Sequence, residues 1–176
     1  MIGDRFEVLD VTGFPNLPEI AETGATFLAN ARLKAEGISR CVEGWVLSDD
    51  SGLEVEALGG APGVWSSSYG GEEGNHAKNN ARLLAEMFGK TDRAARFRCT
   101  MVLARGGIEH ANFSGSVEGR LIEALHGSGG FGYDPLFIPL GHQQTFAELG
   151  DSIKNCLSHR SRALQQVVTA LNNLTT

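Results

Sequence analysis

The 176-residue chain reads as one α/β domain. Three observations predict that class. An apolar run, Trp45-Val46-Leu47, stops at Ser48-Asp49-Asp50-Ser51-Gly52, as a buried strand does where an open sheet offers ligand-binding groups. Two alternating segments, Ala95 to Ala104 and Ile108 to Glu118, meet at Gly106-Gly107, a hairpin turn. Around them lie segments whose apolar residues recur at helical spacing.

In chain order, Phe6 to Val11 reads as a strand ended by Thr12-Gly13 and Pro15. Thr26 then caps a helix to Arg40 with Phe27, Ala31, Ala35 and Ile38 inward. Lys34 follows Asn30 by one turn and either reaches the same pocket or stays in solvent. Trp45 to Leu47 and Leu53 to Leu58 are two short strands flanking an acidic turn. Gly59 to Gly63 and Tyr69-Gly70-Gly71 are loops. Lys78 to Phe88 is a helix with Ala81, Leu84, Ala85 and Phe88 inward, and the hairpin follows. Arg96, Arg98 and Arg120 read as exposed strand charges. Leu136 to Ile138 is a strand leaving a glycine-rich loop. Ser158 caps a last helix striped by Ala163, Leu164, Val167, Val168, Leu171 and Leu174.

Hydrophobic content is 41% and charged content 20%, both ordinary for a globular protein. A net charge of −6 argues against a non-specific nucleic-acid binder or a membrane-surface protein. Cys41, Cys99 and Cys156 form no CxxC pair, which predicts no structural zinc and a reducing, cytoplasmic setting. No apolar stretch is long enough to span a bilayer, and the opening residues lack a signal-peptide pattern. His76, His110, His126 and His142 have no metal-ligand spacing and receive no role.

Three clusters carry chemistry. A carboxylate of the Asp49-Asp50 pair at a strand exit could hold a divalent metal against a phosphate, though Asp-Asp-Ser-Gly is also an ordinary turn. Side chains alternate along a strand, so the two acids point to opposite faces and do not chelate one ion together unless the chain bends. Gly127-Ser128-Gly129-Gly130-Phe131-Gly132-Tyr133-Asp134-Pro135 has four glycines in six residues, too many for helix or central strand. Its aromatics and carboxylate suit a planar ligand, or else a connection whose rings fold into the core. Lys154, His159 and Arg160 gather at the start of the last helix. Cations are not the stabilising choice at a helix N-terminus, so an anionic or oxygen-rich ligand is the functional reading and a solvated helix start the plain one.

Together, Ser48 to Gly71, Gly127 to Phe137 and Lys154 to Arg160, with Glu22-Thr23-Gly24-Ala25-Thr26-Phe27, resemble the Ham1-like family of inosine triphosphate pyrophosphatases. The resemblance runs from about Glu22 to the C-terminus. It implies a long mixed β-sheet flanked by helices in two lobes around a central cleft. It also implies hydrolysis of non-canonical purine nucleoside triphosphates such as ITP, dITP and XTP to monophosphate and pyrophosphate, cleansing the nucleotide pool. The implied cofactor is Mg²⁺ and the implied assembly a homodimer. Asp50 matches the family's general base and metal ligand, and Ser51 a substrate contact. Phe131 matches the base-stacking aromatic, with Gly132, Tyr133 and Asp134 completing that wall. Lys154, His159 and Arg160 match donors that meet either purine oxygens or phosphates.

The chain departs from the family pattern at two places. The family opens with a strand and an [ST]-G-N-x-x-K phosphate-gripping loop, whereas this chain reads Met1-Ile2-Gly3-Asp4-Arg5-Phe6. The expectation is a single domain, 1–176, shortened by the first strand and most of the first helix. The family also carries a metal-linked Glu where Ala29 precedes Asn30. Both departures imply reduced turnover. The alternative reading is a nucleotide-binding relative that acts as a sensor or partner subunit.

Overall fold

In the computed structural model, residues 6–173 are described. The opening Met1 to Arg5, and Leu174 of the last apolar stripe, lie outside the described residues. Four helices are present among the described residues: α1 (Phe27–Ser39), α2 (His76–Glu86), α3 (Phe146–Leu157) and α4 (His159–Asn173). Among the described residues four strands, β1 (Val46–Val55), β2 (Ala94–Arg105), β3 (Ile108–Leu121) and β4 (Phe137–Pro139), form one sheet in the order β1-β2-β3-β4. The α/β class is as expected, with an antiparallel four-stranded sheet where the resemblance implies a longer, mixed one.

The largest local departure is at the acidic segment. Ser48 to Gly52 is not a turn between two strands; it lies inside β1, which runs unbroken from Val46 to Val55. Asp, Ser and Gly disfavour strands only weakly, and sheet pairing overrides that preference. Beyond β1, Glu56 to Leu58 forms a 3₁₀ turn rather than strand. The expected strand at Phe6 to Val11 is also absent. Asp10 accepts a bond from the Thr12 N–H at 2.8 Å and bends the chain into a 3₁₀ turn at Val11–Gly13. Val8, Leu9 and Val11 are exposed there.

The helix expected at Lys78 to Phe88 begins earlier, because Asn75 caps it through the Lys78 N–H at 3.1 Å. Phe88 lies beyond its end and is fully exposed rather than inward. Helix α3 has no counterpart in the sequence reading. Its signal is Thr145-x-x-Glu148, whose side chains exchange bonds with each other's backbone N–H groups as a capping box. Gly150, at φ 77°, breaks the helix within its span. Strand β4 pairs with β3 in the register Gly119↔Pro139, Arg120↔Ile138 and Leu121↔Phe137. A side chain at Gly119 would meet the Ile138 carbonyl at 2.3 Å, so this pairing requires glycine.

The chain divides into two compact units. The first comprises Met1–Asp50, Thr100–Ser114 and Ala163–Thr176, with a small core of Ala31, Ala35, Val102 and Ala104. Thr26 starts α1 as expected, accepting from the Ala29 N–H at 3.1 Å. The second comprises Ser51–Cys99 and Gly115–Arg162. Its larger core includes Leu53, Leu83, Phe97, Phe137 and Phe146. Phe137 lies 4.8 Å from Phe97 and 5.4 Å from Phe146, ring centre to ring centre. Arg96, expected as an exposed strand charge, pairs with Glu54 at 2.5 Å.

Thr145 joins two jobs, since its hydroxyl also donates to the His126 carbonyl at 2.9 Å and ties the loop before Gly127 to α3. Thr145→Ala is expected to lower stability by about 1–2 kcal/mol, read as a lower urea midpoint with an unchanged slope. An unchanged midpoint would remove this cap from the account.

Candidate functional site

The glycine-rich loop is the centre of the second unit's site. Its conformation depends on Asp134, which is buried at 2% exposure. The Asp134 carboxylate accepts from the Phe131 N–H at 2.8 Å and from the Lys154 ammonium. Gly130 sits at φ 71°, and a Cβ there would lie 2.2 Å from the same carboxylate. Gly127, at φ 82°, and Gly129 press on the first turn of α3, where a Cβ would lie within 2.9 Å of Ala147. The glycines therefore let the loop backbone lie against α3 and around the carboxylate.

Folding the loop this way leaves the Phe131 ring half in solvent, at 55% exposure. Lys154 Nζ stands 4.0 Å from the ring centre and the Arg160 guanidinium 5.7 Å. Both are within cation–π range. Phe131, Gly132, Asp134, Lys154 and Arg160 of the sequence-derived set thus belong to one neighbourhood. Lys154 lies near the end of α3, buried at 8% exposure, rather than in a solvated segment upstream of the last helix.

Tyr133 and Asp134 hold the wall up rather than face outward. Tyr133 is buried and its hydroxyl donates to the Ser66 carbonyl at 2.9 Å. Burial raises its pKa, so it remains a neutral donor. His159 also departs from the reading of a cationic helix start. It is 5% exposed and stacks on Phe97 at 5.1 Å and 12°. Burial, with the Arg160 and Lys154 charges, pulls its pKa down to about 3. The imidazole is therefore neutral at physiological pH, and the cations of this corner are Lys154 and Arg160. His159 Nδ1 is buried without a hydrogen-bond partner among the described residues. Ser158 caps α4 as expected, accepting from the Ser161 N–H at 3.2 Å.

Asp50 belongs to the first unit. Asn30, buried on α1, donates from Nδ2 to Asp50 Oδ2 at 3.0 Å and accepts the Gly24 N–H at 2.7 Å. Gly24 has no room for a side chain, since a Cβ would lie 2.7 Å from both Ala29 Cβ and Asn30 Oδ1. So the Glu-Thr-Gly-Ala-Thr segment and α1 together orient one carboxylate. Lys34 forms an ion pair with Glu22 at 2.9 Å. Asp49 and Ser51 flank Asp50 within β1. Among the described residues, no group of three or more His, Cys, Asp or Glu side chains could hold a metal unaided.

Two residues absent from the sequence-derived set also shape the loop's surroundings. Asn80, buried on α2, donates to the Gly132 carbonyl at 3.0 Å. The His76 ring lies 6.4 Å from Phe131 at 44°. Neither has a local sequence signal, because both act across a gap of about fifty residues.

These features define an α/β domain built around a glycine-rich loop with one exposed aromatic face. The chain belongs to the Ham1 family, whose model matches residues 1–170. It is 46% identical over 169 residues to the dITP/XTP pyrophosphatase of Bacillus licheniformis, covering 95% of this chain and 86% of that protein. It is 47% identical over 163 residues to the enzyme of the same name from Geobacillus kaustophilus, covering 92% and 80%. Its fold is similar to the Ham1 protein of Staphylococcus aureus at a TM-score of 0.92 and 34% identity, covering 99% of this chain and 91% of that one.

Neutral His159 makes stability pH-dependent. The unfolded chain binds a proton near pH 6.5 that the folded protein refuses until about pH 3. Stability contributed this way is whole above pH 6.5 and falls as pH drops, by up to about 1.4 kcal/mol per pH unit. The urea midpoint is expected to fall between pH 6.5 and 4.5 more steeply in the native protein than in His159→Gln. Parallel profiles would mean that His159 does not bury a neutral ring.

Proposed function

We propose that this chain hydrolyses deaminated purine nucleoside triphosphates, dITP and XTP among them, to the monophosphate and pyrophosphate. The observation that carries the reading is the Phe131 corner, an exposed ring at a fixed loop with two cations beside it. A purine stacks on such a ring. Lys154 and Arg160 can only donate hydrogen bonds. They would donate to a 6-oxo group and oppose the 6-amino group of adenine, whose own donors would leave buried groups unpaired. Guanine shares the 6-oxo group, so its rejection falls to contacts at the 2-position. The relatives named dITP/XTP pyrophosphatase support the same substrate class.

The phosphate chemistry is assigned to Asp50. Water attacks the α-phosphorus in line, the bond to the bridging oxygen breaks, and pyrophosphate leaves. Asp50, oriented by Asn30, would align the water and take up its proton. Mg²⁺ is commonly held by one or two carboxylates with phosphate oxygens and waters, and Asp50 with a triphosphate meets that requirement. When bound there, the ion would offset charge on the phosphates as a Lewis acid. Ala29 lies one residue before Asn30 on α1 and offers no second carboxylate, which sets metal affinity low. No helix among the described residues is long and apolar enough to cross a membrane. A cytoplasmic homodimer acting on a small nucleotide, with no nucleic-acid or membrane partner, completes the proposal.

Pyrophosphate release from dITP, XTP, dATP and dGTP, with and without Mg²⁺, tests the reading. Release is expected from dITP and XTP, at least about tenfold slower from the others, and only with the metal. Equal release from dATP would overturn the specificity. Asp50→Asn is expected to remove turnover by about a hundredfold or more while leaving the circular dichroism spectrum unchanged. Full rate in that variant would end the role of Asp50. Ala29→Glu is expected to lower the Mg²⁺ concentration for half-maximal rate by roughly tenfold, the worth of one charged contact. An unchanged Mg²⁺ dependence would separate Ala29 from the metal.

A further inference from the structure

The residue facing Phe131 from α2 is His76, which has neither metal-ligand spacing nor a part in the chemistry above. It is exposed, at the first position of α2, and its ring lies 6.4 Å from the Phe131 ring at 44°. Four residues further along the same helix, Asn80 donates to the Gly132 carbonyl at 3.0 Å. Positions four apart share a helix face. So one face of α2 meets the glycine-rich loop twice, with a buried anchor at Asn80 and an exposed ring at His76. The anchor matters because Gly132 stands at φ 62°, directly after Phe131, and α2 thereby restrains the backbone that carries the ring.

We propose that His76 is a further base-binding residue, the second wall of a clamp that opens from Phe131 to admit a planar purine base, resting on the reading that the base stacks at Phe131. A plane held between two rings needs about 3.5–4 Å on each side, so the walls must stand about 7–8 Å apart. The present 6.4 Å is short of that by roughly one ångström, and the tilt must close. Both changes are within the rotation of one exposed side chain, because Asn80 rather than His76 carries the anchoring bond to the loop. Asn79, the buried neighbour on α2, adds a second fastening, accepting the Gly70 N–H at 2.5 Å and donating to the Ser67 carbonyl at 2.8 Å. The helix is thus anchored through Asn79 and Asn80 while its first residue stays exposed. The clamp recognises a flat ring system, not the sugar or the phosphates.

Calorimetric binding of inosine monophosphate to the full chain tests the clamp, with ribose 5-phosphate as a probe lacking the base. His76→Ala is expected to weaken inosine monophosphate about three- to tenfold, and His76→Phe to restore it, because stacking needs only a flat ring. Ribose 5-phosphate binding is expected to stay within twofold in both variants, as roughly the scatter of such measurements. Phe131→Ala is the control for the underlying reading. If Phe131→Ala weakens inosine monophosphate and His76→Ala does not, the clamp is wrong and the base site stands. If neither weakens it, the base site itself is wrong. Equal losses for inosine monophosphate and ribose 5-phosphate in His76→Ala would mark a structural defect and overturn the clamp.

Discussion

The candidate base site depends on one buried carboxylate. An ionised Asp134 would cost several kcal/mol to bury alone, and breaking such a pair by removing one partner typically costs about 3–5 kcal/mol. Lys154 and the Phe131 N–H offset that cost, and together they tie α3 to the glycine-rich loop. The tie fixes where Phe131 points. A ring held exposed by its own backbone bond is ready for a ligand, so little ordering is left to be done on binding. Gly130 belongs to the same device, because any side chain there would occupy the carboxylate's position.

Asn30 does the corresponding work in the first unit with a neutral group. Its amide spans from the Gly24 N–H to Asp50, using an acceptor and a donor in opposite directions. Only a side-chain amide of this length can serve both, since a carboxylate would repel Asp50. The Thr26 cap sets the start of α1 and hence the position of Asn30. The two units therefore each hold a candidate site side chain by a buried polar group, charged in one and uncharged in the other.

Much of this was legible in the chain itself. The Thr26 cap, the stripe of α1 and the Gly106-Gly107 hairpin rest on local rules, and local rules survive folding. Motif-scale resemblance reached the family, because loops such as Gly127 to Asp134 are set by glycine positions that few folds would require. Residues whose role is structural were harder. Tyr133 and Asp134 sit in the motif beside Phe131, yet they face inward while Phe131 faces solvent, and no local periodicity separates them.

By itself the sequence determined the α/β class, the hairpin, the glycine-rich loop and the short list of chemically capable residues. Tertiary structure decided what each of them is. Sheet pairing drew Ser48 to Gly52 into β1, although its residues favour turns. Burial against Phe97 made His159 neutral, because a charge there would lose its hydration. Folding also brought His76 and Asn80 to the loop from half a hundred residues away. These outcomes depend on burial and on distant partners, which are properties of packing and not of neighbours along the chain.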